Sequence, residues 1–152
     1  MLVLIRGAGD LASGVSLRLH RAGFPVVMTD LPKPTAIRRT VCFSQAIRFG
    51  TTMVEDAEGV CCHTAREVKA ALDAEKIPVL PDETAKCKDW LHPDVLVDGI
   101  LAKKNLGTKI TDAPLVIALG PGFCAGRDCH AVVETMRGHT LGRVIWDGEP
   151  LP

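Results

Sequence analysis

Aromatic residues are scarce in this chain. Phenylalanine and tryptophan together make up 4% of the residues, and tyrosine is absent. Surfaces that stack single-stranded bases need exposed aromatic rings, so this composition argues against nucleic acid as a partner. The core must therefore be built from valine, leucine, isoleucine and alanine.

The sequence also lacks a charge excess and a long hydrophobic run. Its 18 basic residues balance its 18 acidic residues, and neither sign forms the block that marks a nucleic-acid arm. The opening MLVLI is too short for the apolar part of a secretion signal, and no run approaches the roughly 20 apolar residues of a membrane span. We expect a cytoplasmic protein that binds neither nucleic acid nor membrane, and the sequence leaves homo-oligomer formation open.

No C-x-x-C motif occurs, although the chain has six cysteines. Without a secretion signal, free thiols are favoured over a disulfide framework. The clusters CCH at 61–63 and CAGRDCH at 124–130 contain the residue types that bind zinc. Free cysteines more commonly act as small buried hydrophobic side chains, so we predict no metal site.

Strand-like and helix-like patterns alternate over most of the chain, which predicts an α/β fold with a mostly parallel sheet and helices on both faces. The length fits one domain, residues 1–152. Its α/β core spans 1–119, and a glycine turn with an antiparallel β-hairpin follows at 120–152. Strands are predicted at 2–6, 25–30, 77–82, 93–101 and 113–119.

Predictions for the middle of the chain rest on shorter signals. TARE at 64–67 fits a capping box that begins a helix reaching about Glu75. A short helix around 44–49, a strand at 59–64 and a helix at 83–91 are also predicted.

A glycine-rich loop follows the first predicted strand. Gly7-Ala8-Gly9-Asp10-Leu11-Ala12 fits G-x-G-x-x-A at the start of a predicted helix. In that setting Gly7 permits a tight turn, Gly9 lets a diphosphate approach the backbone, and Ala12 lets helix and strand pack closely. The helix N-terminus adds amide donors and a favourable dipole. Asp10 argues against a bound diphosphate unless its carboxylate turns outward to cap the helix.

Asp30 ends the second predicted strand. It lies about 20 residues beyond the glycines, the spacing of the carboxylate that binds a ribose hydroxyl in dinucleotide-binding folds. Loop, helix and acid together predict a dinucleotide-type site, and the alternative is a plain strand-to-helix turn with Asp30 capping a loop. Lys33, Arg38 and Arg39 follow, where they would meet an extra phosphate or form a solvated basic face.

Two further segments carry candidate residues. A second glycine turn containing Gly120 and Gly122 follows a predicted strand and could complete the same crevice. His130 and Glu134 would share one strand face near Arg137, which makes them the local cluster with acid/base potential. Lys103 and Asn105 could bind an anion, although exposed surface positions are the default interpretation.

Three long stretches resemble a known family. IRGAGDLASGVSLRLHRAGFPVVMTDLPKPTAIRRTVCF, PDVLVDGILAKKNLGTKITDAPLVIALGPGF and HAVVETMRGHTLGRVI are similar to the selenium-dependent molybdenum hydroxylase accessory proteins, relatives of the XdhC-type xanthine dehydrogenase accessory proteins. The cysteines at 61, 62, 124 and 129 are not part of that family's pattern.

The resemblance implies a Rossmann-like domain in a protein that helps to mature molybdenum hydroxylases. It implies that molybdopterin, or molybdopterin cytosine dinucleotide, is bound and transferred to a hydroxylase apoenzyme. The site residues it carries over are Gly7, Gly9, Asp10, Gly14, Lys103, Asn105, Gly120, Gly122, His130, Glu134 and Arg137. Two alternatives stay open: an NAD(P)-dependent oxidoreductase, and a ligand-free scaffold for hydroxylase assembly.

Overall fold

Strands and short helices alternate in the computed structural model, which describes residues 1–32 and 42–152. In chain order the elements are β1 (Val3–Arg6), α1 (Asp10–Arg21), β2 (Val26–Asp30), α2 (Gln45–Phe49), β3 (Thr51–Val54), β4 (Ala57–Cys61), α3 (Ala65–Asp73), β5 (Ile77–Pro81), α4 (Lys88–Leu91), β6 (Val95–Asp98), β7 (Leu115–Leu119), β8 (Ala131–Val133) and β9 (Val144–Ile145).

All these strands join one nine-stranded sheet in the order β3-β4-β5-β2-β1-β6-β7-β8-β9. The strands from β4 to β8 run parallel, and β3 and β9 are antiparallel at the two edges. The stretch β5-β2-β1-β6-β7-β8 has the 3-2-1-4-5-6 order of Rossmann folds. The predicted α/β class, with a mostly parallel sheet and a small antiparallel part at the C-terminus, is confirmed.

Helices cover both faces of the sheet, as predicted. In β1, Val3 and Ile5 belong to a core cluster with Leu17 of α1, whereas Leu4 belongs to a second cluster with Val68 of α3. A strand buried on both faces is expected to be a continuous apolar run, which is what the sequence shows there. Of the helices in the described part of the chain, none is both long and apolar enough to cross a membrane.

The capping box at the start of α3 differs from prediction in one bond. The Thr64 hydroxyl accepts a hydrogen bond from the Glu67 amide at 3.2 Å, as predicted. The Glu67 carboxylate, however, accepts from the amide of His63 at 3.1 Å instead of that of Thr64. The start of α3 is still capped, because the amides of Glu67 and His63 have no partner within the helix and both find side-chain acceptors.

The helix predicted at 83–91 is much shorter than expected and begins only at Lys88. The Asp82 carboxylate accepts the amides of Lys86 and Cys87 at 2.9 and 2.8 Å. Ala85 has a φ of 54°, which interrupts a right-handed helix. The side-chain acceptor competes with helical hydrogen bonds, so the chain makes turns before α4.

The sequence did not predict the β3–β4 hairpin. The predicted strand at 59–64 corresponds to β4, which lies earlier in the chain and pairs with β3 from Thr51↔Val60 to Val54↔Ala57. An exposed ion pair at 2.9 Å joins Asp56 in the turn to Arg21 at the end of α1. Such exposed pairs contribute little free energy, so packing against the core is what holds this hairpin.

The C-terminal hairpin is confirmed. β8 and β9 pair antiparallel through Val132↔Ile145 and Val133↔Val144. β8 also pairs in parallel with β7, so the hairpin extends the main sheet. The strands predicted at 77–82, 93–101 and 113–119 are present as β5, β6 and β7, each shorter than its predicted range by one to five residues.

Candidate functional site

A cavity of about 580 Å³ opens at the carboxyl ends of β1, β2, β5 and β6. Its wall is formed by residues 6–11, 29–31, 83–84, 99–101 and Leu106. The strand order reverses between β1 and β6, and open α/β sheets bind ligands at such a reversal. The volume lies within the roughly 300–1,000 Å³ typical of small-molecule sites.

The glycine loop forms one wall of this cavity. Its small residues are needed for different structural reasons. Gly7 has a φ of 99°, and a Cβ added there would lie 2.9 Å from the Gly99 carbonyl oxygen. An added Cβ at Gly9 would meet nothing within 4 Å. Ala12 is fully buried and lies close to Gly99, which is the tight helix-to-strand contact that the motif predicts.

The N-terminus of α1 opens into the cavity. Gly9 is the N-cap of this 12-residue helix. Because glycine has no side chain, no side-chain hydrogen bond caps the helix at this position. Asp10 and Leu11 begin the helix and line the cavity. First-turn amides of a helix have no partner within the helix, so this end favours an anion. Gly14 lies further along α1 on an exposed surface, outside the cavity wall.

Asp30 lies beside the glycine loop, at the end of β2. Its carboxylate accepts the amide of Leu31 at 2.8 Å. Burial raises the pKa of Asp30 above the ordinary aspartate value, and the nearby backbone amides of Leu31 and Ala8 oppose this change. The structure thus places a partly desolvated carboxylate at the wall of the cavity, where a ribose would accompany a diphosphate bound to the loop.

The raised pKa of Asp30 predicts a pH-dependent stability. The folded state binds the Asp30 proton more tightly than the unfolded chain does, so its contribution is present in acid and is lost as the pH rises through the raised pKa. Asp30→Asn removes this loss. We expect the melting temperature of the variant, relative to that of wild type, to increase as the pH rises from 4 to 7.

Differential scanning fluorimetry from pH 4 to pH 8 measures this difference. Asp89→Asn, at an exposed residue of α4, serves as the control and should show no comparable trend. If the difference in melting temperature between wild type and Asp30→Asn stays constant over this pH range, the raised pKa of Asp30 is contradicted.

The floor of the cavity carries a buried arginine that the sequence analysis missed. Arg6, the last residue of β1, is 3% exposed. It donates through Nη1 to the Thr108 hydroxyl at 2.7 Å and through Nη2 to the carbonyls of Glu83 and Leu106, both at 3.2 Å. The Thr108 hydroxyl in turn donates to the Asp98 carboxylate at 2.6 Å. The signal in the sequence that could have revealed Arg6 is that it is the one charged residue, at the end of the apolar run LVLIR.

Asn105 shapes the loop after β6 that brings Leu106 to the cavity wall and Thr108 to Arg6. Its Oδ1 accepts the amides of Gly107 and Thr108 at 3.0 and 2.8 Å, and its Nδ2 donates to the Thr108 carbonyl at 2.8 Å. Lys103 is exposed on the same loop, with a φ of 62°. Neither residue lines the cavity, so Asn105 acts on the site through the loop backbone.

The second glycine turn packs against this loop and lies outside the cavity wall. An added Cβ at Gly122 would lie 2.6 Å from the Lys104 Cα, and one at Gly120 would lie 2.9 Å from a Leu101 methyl carbon. Both glycines have positive φ angles. They permit the close approach that fixes the loop beside the site.

His130, Glu134 and Arg137 lie around β8, and none of them lines the cavity. His130 accepts the Val116 amide through Nδ1 at 2.9 Å. The Glu134 carboxylate accepts the amides of Leu151 and Met136 at 2.8 and 2.9 Å. These bonds lower the pKa of Glu134. His130 and Glu134 therefore hold backbone in place here, and Arg137 is exposed.

The chain is similar to the uncharacterized protein YqeB of Escherichia coli strain K12. The two are 52% identical over 147 residues. That region is 97% of this chain and 27% of YqeB, so the chain spans about a quarter of the relative's length. No protein-family model matches the chain, and no solved structure matches it.

The six cysteines are free thiols. Cys61 Sγ lies 3.9 Å from His63 Nε2, whereas Cys62 and Cys129 are buried in the core, where desolvation raises the pKa of each to about 11. Over residues 1–32 and 42–152, no three His, Cys, Asp or Glu side chains gather as metal ligands. The predicted basic residues Lys33, Arg38 and Arg39 lie outside the described residues.

Proposed function

We propose that this chain is an accessory protein for the maturation of molybdenum hydroxylases. In this proposal it binds a molybdopterin nucleotide, such as molybdopterin cytosine dinucleotide, in the switch-point cavity and transfers it to a hydroxylase apoenzyme in the cytoplasm. The observation that carries the nucleotide part is the glycine loop and α1 N-terminus facing a cavity that Asp30 also lines. The molybdenum part is supported by the sequence resemblance.

Most residues of the cavity wall fit the nucleotide end of such a cofactor; the exception is Asp10, an acidic residue that lines the cavity and is not the N-cap of α1. Open space at Gly9 and the amides of the first turn of α1 would hold a diphosphate. Asp30 would accept hydrogen bonds from ribose hydroxyls. Leu11 and Leu106 are each 42% exposed and provide an apolar rim for a base, while the cofactor itself would supply the molybdenum chemistry.

An NAD(P)-dependent oxidoreductase would use the same loop. Hydride transfer to or from a substrate generally needs an acid or base beside the nicotinamide, and the sequence pointed to His130 and Glu134 for that role. Both are engaged in backbone hydrogen bonds outside the cavity wall. This placement favours cofactor binding over hydride transfer.

Native mass spectrometry tests the proposal. We expect the protein, purified from a host that makes molybdopterin cytosine dinucleotide, to retain a mass equal to that dinucleotide. In calorimetry, NAD and NADP should bind about 100-fold more weakly, or weaker still, than molybdopterin cytosine dinucleotide. Micromolar binding of NAD together with no retained pterin would contradict the proposal, and so would the absence of any ligand, which would favour the scaffold.

A further inference from the structure

Arg6 is a buried cation without an anionic partner in the described structure. It is 3% exposed, and its hydrogen bonds go to one hydroxyl and two carbonyls. Its Nε atom is buried without a hydrogen-bond partner. Among residues 1–32 and 42–152, Arg6 forms no ion pair, and its connection to Asp98 runs through the Thr108 hydroxyl.

Such a charge is unfavourable in an empty cavity. A buried ionised group loses its hydration, and bonds to neutral oxygens compensate only in part. Charge-assisted bonds between a guanidinium and a phosphate are shorter and roughly twice as strong as neutral ones. The two bonds to the carbonyls of Glu83 and Leu106 have uncharged acceptors and are 3.2 Å long, longer than the roughly 2.7–2.9 Å of bonds between a guanidinium and an anionic oxygen, so a bound phosphate would provide stronger ones.

We propose that Arg6 makes this cavity selective for ligands with two linked phosphates, by binding one phosphate while the N-terminus of α1 binds the other. The inference rests on the proposed function in placing a nucleotide here, and it assigns the ligand to the class of nucleoside diphosphates and dinucleotides. Arg6 immediately precedes Gly7, and both line the cavity, so the two anion-binding elements are adjacent. An arginine in this place adds a planar set of donors that matches phosphate oxygens.

Nuclear magnetic resonance of the arginine Nε–H groups tests this assignment on the wild-type protein. The Arg6 signal is identified by its loss in Arg6→Lys. We expect inorganic pyrophosphate to shift this signal in a saturable way, together with the backbone amides of Leu11 and Ala12. Pyrophosphate should bind about tenfold more tightly than orthophosphate, because orthophosphate reaches only one of the two elements.

Calorimetry on variants gives the second measurement. Arg6→Met should weaken pyrophosphate binding about tenfold or more, and Arg6→Lys should lie between Arg6→Met and wild type because it keeps the charge but not the planar donors. Arg66→Met removes an exposed positive charge from α3 and should leave binding unchanged. If Arg6→Met does not fold, the wild-type titration and Arg6→Lys still decide the question.

The outcomes separate this inference from the proposed function. Shifted α1 amides with an unmoved Arg6 signal would overturn the role of Arg6 and leave nucleotide binding intact. A shifted Arg6 signal in a protein that retains no molybdopterin species would support Arg6 and overturn the proposed cofactor. If all variants bind pyrophosphate equally, the role of Arg6 is refuted. If neither the Arg6 signal nor the α1 amides move, the role of Arg6 is refuted and phosphate binding is also removed from the proposed function.

Discussion

Replacing Gly9 with aspartate is expected to weaken nucleotide binding about 100-fold or more without unfolding the protein. An added side chain at Gly9 enters open space beside the cavity, so it would occupy the approach of a diphosphate with a like charge. Unfavourable juxtaposition of like charges costs several kcal/mol, and about 2.7 kcal/mol corresponds to 100-fold in affinity. Calorimetry with the retained dinucleotide, or with pyrophosphate, measures the loss.

The same substitution should not destabilise the fold. Gly9 is the N-cap of α1, with a φ of −78° and a ψ of −163°, a conformation open to any residue. Aspartate is among the best N-cap residues and exceeds glycine by a few tenths of a kcal/mol. A glycine at a position where aspartate would cap better is what we expect if close approach of a ligand to the backbone is needed there.

Gly14→Asp is the matched control. It adds the same charge to the same helix, at an exposed position where an added Cβ meets nothing within 4 Å. Binding should be close to wild type in this variant. Equal losses in Gly9→Asp and Gly14→Asp would point to a general effect of negative charge and would contradict a diphosphate site at the loop.

Gly7→Ala is expected to destabilise the protein by roughly 2–6 kcal/mol. A non-glycine residue held in a sparsely populated backbone region costs about 1–3 kcal/mol, and overpacking against a rigid neighbour costs about as much again. At Gly7 the φ is 99°, and the new Cβ would lie 2.9 Å from the Gly99 carbonyl oxygen and 3.1 Å from the Ile100 amide nitrogen. Urea denaturation followed by circular dichroism gives the free energy of unfolding.

Gly23→Ala isolates the contribution of the backbone conformation. Gly23 has a similar φ of 95° just after α1, and an added Cβ there meets nothing within 4 Å. We expect a loss of about 1–2 kcal/mol. If both variants lose the same free energy, the contact between the glycine loop and Gly99 does not constrain the fold as described.

The first βαβ unit and the glycine-rich loop could be predicted from the sequence because their signals are local. A continuous apolar run, a glycine turn, a helical period and a terminal acid fall within residues 2–30, and each reports a nearby conformation. The lengths of the helices and strands were predicted less accurately, as the short helix α4 shows. There a single carboxylate, Asp82, forms the hydrogen bonds that would otherwise extend a helix.

Other features depend on contacts between distant segments. The β3–β4 hairpin packs on Phe43, whose ring would lie 2.8 Å from a Cβ added at Gly59. A glycine inside a strand therefore reflects a neighbour that the local pattern does not reveal. The position of the buried Arg6 side chain likewise depends on Thr108, which accepts its hydrogen bond and lies 102 residues away in the chain. Sequence spacing also brought His130 and Glu134 forward as an acid/base pair, whereas the fold places them away from the cavity.

The amide bond to Asp30 has a consequence for its remaining acceptor capacity. An ionised carboxylate offers about four lone-pair positions, and the Leu31 amide occupies one of them. The others could accept the hydroxyl protons of an unmodified ribose, which carries one on each of its 2′ and 3′ oxygens. A 2′-phosphate would bring negative charge in place of one of those protons, so in the proposed site this carboxylate would favour nucleotides whose ribose diol is intact.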